Sequence, residues 1–147
     1  MKNIARINHY GSTAVPRLKA KPTIDILLEI NSEADIYKVE DVLPPDYICQ
    51  LRDIPNDPLM FYKGYTPFGF AEKVYHIHVR HLGDWDELYF RDYLIKYPAI
   101  ANEYTALKCK LFNDFEHDRD GYTDGKSEFI KKYSEKARQE FKEKYKP

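Results

Sequence analysis

Residues 9–30 read HYGSTAVPRLKAKPTIDILLEI, and their reading decides the fold. The second part, Thr23–Ile30, is short, rich in β-branched and aliphatic residues, and bounded by Pro22 and Asn31-Ser32. That pattern predicts a β-strand. Side chains on a strand alternate between its faces. Ile24, Ile26, Leu28 and Ile30 therefore share one apolar face, which predicts a core. Asp25, Leu27 and Glu29 share the other. The first part supplies a turn. Gly11 tolerates positive φ and lets another group approach the backbone closely. Ser12 is suited to cap a following turn of helix, whose outward amides favour an anion. Lys21 adds a point charge of the kind that neutralises a phosphate oxygen. The spaced glycines of a P-loop or a dinucleotide fingerprint are not present.

Working outward, Ile4–His9 reads as a short strand ended by Gly11. Ala34–Leu43 reads as a helix capped by Ser32 and stopped by Pro44-Pro45. Tyr47–Arg52, Met60–Tyr65 and Lys73–His81 read as three further strands, separated by the turn residues Pro55-Asn56-Asp57-Pro58 and Pro67-Phe68-Gly69. From residue 84 the periodicity becomes helical. One helix starts near Asp84 and ends before Pro98. A second carries Ile100, Tyr104, Leu107, Leu111 and Phe115 at helical spacing. A third carries Ile130, Tyr133, Ala137 and Phe141, with Gly121 and Gly125 flanking its start. The expectation is a single α+β domain over 1–147, strand-rich in 1–82 and helical in 84–145.

A second strand repeats the splitting of faces. In VYHIHVRHL, Tyr75, Ile77 and Val79 take one face, and His76, His78 and Arg80 take the other. Three polar, cation-capable side chains in a row fit a solvated sheet face. They equally fit a cleft in which Asp25 meets His76, His78 and Arg80. The choice depends on whether the two strands are neighbours, which the order of residues does not dictate.

Composition narrows the function classes. Net charge is −1 over 147 residues, which speaks against nucleic acid and anionic lipid as partners. The lysine-rich segment from Lys126 to Lys146 is interleaved with glutamate and reads as a solvated helix face. Cys49 and Cys109 lie far apart, which is neither a zinc pattern nor a disulfide framework. Free thiols suit a reducing cytoplasm. The opening residues lack an apolar signal core, and no run reaches the ~18 apolar residues of a membrane span. Thirteen tyrosines and eight phenylalanines predict a core of large rings, many with a hydroxyl to satisfy.

The stretch from His9 to Ile30 resembles the GrpB family of bacterial proteins, through its Gly-Ser-Thr-x-Val-Pro-x-Leu-x-Ala-Lys-Pro-x-Ile-Asp-Ile run. The likeness continues colinearly through HIHV (76–79), FRDYL (90–94), EYTALK (103–108) and YTDGKSEFI (122–130). It implies a nucleotidyltransferase-like mixed sheet with flanking helices and a C-terminal three-helix segment. It further implies metal-assisted nucleotidyl or phosphoryl transfer to a small substrate, a nucleotide or a phosphorylated metabolite. The alternative is a non-catalytic nucleotide- or anion-binding module. The family's fusion to dephospho-CoA kinase in some bacteria links that alternative to coenzyme A metabolism. Carried over residue by residue, Gly11, Ser12, Lys21 and Arg80 would bind the substrate. Arg91, Lys108 and Lys126 would reach it from the helices. Asp25 and His78 would be catalytic, and Asp25, His76 and His78 would hold a divalent ion (Mg, Mn or Zn).

Two departures from the pattern qualify this. A working nucleotidyltransferase strand carries Asp-x-Asp, whereas Leu27 stands two places after Asp25. Glu29 shares the face but lies roughly 13 Å along the strand at ~3.3 Å per residue, too far to share an ion whose bonds are about 2 Å. A second ligand is therefore expected from His76 or His78, and imidazole suits Zn, Mn or Fe better than Mg. The family also usually carries a helical segment before the first strand. Its near absence here leaves two expectations: either the fold tolerates the loss, or another protomer, as in a homodimer, covers the exposed surface.

Overall fold

The computed structural model describes residues 3–16, 18 and 23–147, apart from the Phe70 side chain. Two compact units emerge. One holds the β-sheet and runs to Asp84; the other holds the helices from Trp85 onward together with Val15 and Leu18.

The sheet unit has five strands: β1 (Ile4–Tyr10), β2 (Thr23–Ile30), β3 (Ile48–Leu51), β4 (Leu59–Thr66) and β5 (Gly69–His81). Their spatial order is β1-β2-β5-β4-β3. β2 and β5 run parallel, while the other three pairings are antiparallel. The sheet is therefore mixed, as expected of an α+β chain. The strand with the clearest aliphatic alternation, β2, and the longest strand, β5, lie side by side in the middle.

Leu28, Ile30, Leu59, Phe61, Ile77 and Val79 form the core on one face of the sheet, joined by Ile36 and Val39. Those last two belong to the segment expected to be an α-helix capped by Ser32. It is instead a 3₁₀ helix over Ile36–Val42, and its cap is Asp35, whose side chain accepts from the Tyr37 amide at 3.0 Å. The physical reason is the short apolar repeat. Ile36 and Val39 are three residues apart, which is one full turn of 3₁₀ helix and places both on the covered side. β5 begins four residues before the expected Lys73. Its partner β4 turns back through Pro67-Phe68, and the Thr66 hydroxyl donates to the Gly69 carbonyl at 2.6 Å, which keeps the pairing intact to the tip.

β1 carries a register shift between Ile4 and Arg6, so that Arg6 stands opposite Glu29. Such a bulge re-aims side chains, and here it brings a guanidinium over a carboxylate that is 0% exposed. Arg6 Nε donates to Glu29 Oε2 at 2.6 Å and Nη2 donates to Oε1 at 2.8 Å. Gly83 completes the cluster. Its amide donates to Glu29 Oε1 at 3.2 Å, and its carbonyl accepts from Arg6 Nη2 at 2.7 Å.

The helical unit contains α1 (Asp86–Lys96), α2 (Pro98–Asp114) and α3 (Arg119–Phe141). α1 starts with Asp86 and Glu87, acids placed where the helix dipole favours them. Pro98 opens α2 at a position where its missing amide costs nothing. α3 starts earlier than expected, at Arg119 with Asp118 as its cap, so Gly121 and Gly125 lie inside its first turns. Close packing explains Gly125: a β-carbon there would stand 2.5 Å from Leu111 of α2. The core of this unit gathers Val15, Leu94, Ala101 and Tyr104, with Phe90 and Phe129 packed against it. Phe90 meets the Tyr104 ring edge-on, and Phe129 stacks on it. Burial pushes the Tyr104 phenol up to about 12.

The chain after α3 is tied back by Asp92. Its carboxylate accepts from Lys144 at 2.8 Å and from the Tyr145 hydroxyl, and Arg91 pairs with it at 2.9 Å. Burial would raise this carboxyl, but the Lys144 and Tyr145 hydrogen bonds and the Arg91 charge hold it below the ordinary range. A depressed folded value means stability that is present above the unfolded value, ~3.9, and lost as pH falls through the folded one. Asp92→Asn should therefore lower stability at pH 7 and flatten the acid limb below about pH 4. Urea midpoints measured from pH 7 to pH 2.5 on both proteins would show this; parallel pH profiles would refute it.

Candidate metal centre

The face of the sheet opposite the aliphatic core carries the candidate site. Register explains how it forms. Tyr10, Asp25, His76 and Tyr62 lie in one row across β1, β2, β5 and β4. Asn8, Leu27, His78 and Met60 form the next row. Because β2 and β5 are neighbours, the two polar faces identified in the sequence are one face. Asp25, His76 and His78 each offer a ligand atom, and these atoms all lie within 4.8 Å of one another. Asp25 Oδ1 stands 3.6 Å from His76 Nδ1. A tetrahedral ion with bonds of about 2.0–2.2 Å holds its ligands ~3.4 Å apart, so this edge already has the separation such an ion requires.

Gly11 faces the same carboxylate. Its φ is +76°, and a β-carbon there would stand 2.7 Å from Asp25 Oδ2. The glycine of the Gly-Ser pair is thus required twice, for its backbone conformation and for its closeness to Asp25. Ser12 opens a 3₁₀ turn over Ser12–Ala14, closed by the Ala14 amide donating to the Gly11 carbonyl at 3.1 Å. Thr13 anchors the turn. Its hydroxyl donates to the Thr23 carbonyl at 2.8 Å and lies 2.9 Å from His9 Nε2.

Both histidines are held from behind. Tyr65 Oη lies 2.8 Å from His76 Nε2, and Asp57 Oδ2 lies 3.2 Å from His78 Nδ1. Asp57 also accepts from Arg52 at 2.9 Å and pairs with Arg80 at 3.5 Å. The Tyr10 ring meets His78 edge-on at 5.8 Å. Burial pushes the Asp25 carboxyl up, against the opposing pull of His76, His78 and His9. Burial also pushes the His76 imidazole down, partly offset by Asp25. Both shifts leave a neutral imidazole and a carboxylate that gains from a nearby cation. For Asp57 burial acts upward but loses to the His78 hydrogen bond and to the charges of His78, Arg80 and Arg52, so this carboxyl stays below its ordinary range.

The remaining sequence candidates fall elsewhere. Glu29 is committed to Arg6 and Gly83, and Leu27, 0% exposed, occupies the place of a second acid. Arg80 is buried beside Asp57. Lys21 lies outside the described residues. Arg91 sits in the helical unit with Asp92 and the Tyr145 hydroxyl. Lys108 and Lys126, also there, lie over the rings of Tyr104 and Tyr122. Burial lowers both ammonium groups, and for Lys108 the Lys126 charge adds to it. Sequence reasoning missed Asp57, Arg52 and Tyr65. Arg52 and Asp57 bracket the Pro55-Asn56 turn, where Asn56 adopts positive φ. An acid and an arginine at the mouth of a tight turn leading into a sheet strand were the available signal.

A family model described as GrpB protein matches residues 1–136. The chain belongs to the GrpB family. Among its GrpB relatives, a UPF0157 protein of Pseudomonas aeruginosa is 40% identical over 84% of this chain. The Glutamate-rich protein GrpB of Alkalihalophilus pseudofirmus is 31% identical over 88% of it. The matched region is 52% of the first relative and 76% of the second, so the chain spans about half the length of the Pseudomonas protein. The crystal structure of the conserved protein GrpB from Enterococcus faecalis superposes with a TM-score of 0.72 at 29% identity, covering 95% of this chain and 84% of that one. Among the described residues, no helix is long and apolar enough to cross a membrane.

Proposed function

We propose that this GrpB chain is a nucleotidyltransferase-like protein whose sheet unit carries a single-metal site for nucleotidyl or phosphoryl transfer to a small substrate. The observation that carries this reading is the convergence of Asp25, His76 and His78 beside Gly11. Two imidazoles and one carboxylate suit Zn, Mn or Fe better than Mg. An ion held there would act as a Lewis acid on a phosphoryl oxygen. Asp25 supplies the anionic ligand and His76 and His78 the neutral ones. Gly11 keeps the approach to Asp25 free of a side chain, and Ser12 offers a hydroxyl at the entrance of the turn. Lys21, next to β2 in the sequence, is the proposed cationic contact for the phosphate of a nucleotide or a phosphorylated metabolite.

One observation favours a second reading, a nucleotide- or anion-binding module without turnover, serving coenzyme A metabolism. Leu27 occupies the second acidic position, and Glu29 is tied to Arg6, so a two-ion arrangement is not built on β2. A combined measurement separates the two. The protein is titrated with Zn²⁺ or Mn²⁺ and then with ATP while melting temperature and phosphate or pyrophosphate release are followed. A saturating ligand at a hundredfold excess over Kd adds about 2.7 kcal/mol, equivalent to about 5–11 °C for a chain of this size. Stabilisation with metal-dependent release supports transfer. Stabilisation without release supports the binding module. No shift with either ion or nucleotide removes both.

A further inference from the structure

We infer that Asp57 and Tyr65 are positioning residues that decide which ring nitrogen each histidine presents to a metal ion, Nε2 for His78 and Nδ1 for His76. The inference rests on the reading of Asp25, His76 and His78 as a metal site. It begins from an asymmetry. The two histidines sit two residues apart on the same face of β5, yet their outer partners hold opposite nitrogens. Tyr65 Oη is 2.8 Å from Nε2 of His76, while that ring's Nδ1 is the atom facing Asp25 at 3.6 Å. Asp57 Oδ2 and Oδ1 lie 3.2 and 3.3 Å from Nδ1 of His78, which leaves Nε2 as its ligand atom.

A neutral imidazole carries one N–H and one lone pair, so an acceptor behind one nitrogen fixes the lone pair on the other. At His78 the acceptor is unambiguous. Asp57 is held as an anion by Arg52 at 2.9 Å and Arg80 at 3.5 Å. Arg52 Nη1 also lies 3.2 Å from His78 Nδ1. A lone pair on Nδ1 would accept from Arg52 but would also face two carboxylate oxygens at comparable distance. With the proton on Nδ1, Arg52 and His78 both donate to Asp57, and their mutual approach follows from sharing it. At His76 the tyrosine hydroxyl occupies the Nε2 side of the ring, which leaves Nδ1 as the nitrogen turned to Asp25, and it accepts from Nε2–H when Nδ1 holds the ion. A carboxylate behind a metal-binding imidazole also raises its basicity, and losing such a partner typically costs 10–100-fold in metal affinity.

The construction explains two features that the metal ligands alone leave unused. The Pro55-Asn56 turn closes with the Asp57 amide donating to the Ile54 carbonyl at 3.0 Å, which sets Asp57 two residues before β4 and beside His78. The register break between Lys63 and Tyr65 lies between Tyr62, opposite His76, and Tyr65, whose hydroxyl reaches that ring.

The test uses the whole chain loaded with Zn²⁺, with long-range ¹H–¹⁵N spectra of the histidines and Zn²⁺ affinities by competition. The expected spectrum has His78 metal-bound at Nε2 and protonated at Nδ1, and His76 the reverse. Tyr65→Phe, at a half-exposed side chain, should weaken Zn²⁺ about 10-fold, and Asp57→Ala about 10–100-fold. Asp57→Asn keeps an acceptor for Nδ1–H and should keep His78 protonated at Nδ1 in the spectrum, whereas Asp57→Ala should lose that preference, a tautomer readout that a merely structural role would not move. If Asp57→Ala fails to fold, Tyr65→Phe and the wild-type spectrum still decide. Both histidines bound through the same nitrogen, or Zn²⁺ affinity unchanged in Tyr65→Phe and Asp57→Ala, would overturn this inference alone. A wild-type chain that binds no Zn²⁺ would overturn the metal reading with it.

Discussion

Arg6→Met should destabilise the protein by about 3–5 kcal/mol, the cost of leaving a buried charge without its partner. Glu29 is 0% exposed, and its two oxygens receive Arg6 Nε, Arg6 Nη2 and the Gly83 amide. The substitution removes the bidentate fork and leaves, among the described residues, the Gly83 amide as the donor to a desolvated carboxylate. The loss is large because water cannot replace what the guanidinium supplied. The double variant Arg6→Met, Glu29→Leu should be far milder than the single one, since removing both charges removes the desolvation penalty together with the attraction. Urea unfolding of wild type, both single variants and the double variant forms the cycle that isolates the pair. A single variant within 1 kcal/mol of wild type would mean that the pair is strongly solvated, contrary to its burial.

Asp25→Asn should have effects of opposite sign on stability and on metal binding. Burial raises this carboxyl, so in the metal-free protein the charged form is disfavoured. The sign follows from linkage. With a raised folded value, stability falls as pH rises from the unfolded value through the folded one, and the penalty persists above it. Asparagine has nearly the same shape and no charge, keeps the close approach to Gly11, and removes that penalty. The metal-free variant should then be at least as stable as wild type at pH 7, with a flatter pH profile. Metal affinity should fall by more than the 10–100-fold that an outer partner is worth, because the only anionic ligand of the three is gone. Zn²⁺ titrations monitored by melting temperature test both halves. A variant that binds Zn²⁺ like wild type would exclude Asp25 as a ligand. A variant markedly less stable without metal would make Asp25 a structural residue, its carboxylate supported by His76 and His78. Stability given up at a residue kept for binding is a common mark of a functional site.

Much of this was legible in the residues themselves. Alternation decided the two faces of β2 and β5, because a strand's side-chain period is fixed by its pleat. Pro98 marked the boundary of α1 and α2 through the steric demand of its ring. The long run from Gly11 to Ile26 carried the family, and Gly11 was correctly placed at a position requiring positive φ. The error over residues 34–43 came from a weak pattern, since a seven-residue segment with two buried side chains satisfies 3₁₀ and α spacing almost equally. The glycines of α3 misled because helix propensity disfavours them, whereas Gly125 is retained for contact with Leu111.

What tertiary structure alone decided was adjacency. The order of residues shows that Asp25 and His76 each lie on a polar face, but 51 positions separate them in the chain. Only the pairing of β2 with β5 turns two polar faces into one site. Asp57 and Tyr65 belong to a turn and a strand end with no periodicity to mark them, and their roles arise from distances to His78 and His76. Local sequence governs faces and turns because those follow from backbone geometry over a few residues. The grouping of ligands depends on which strands pair, and that is set by burial summed over the whole sheet.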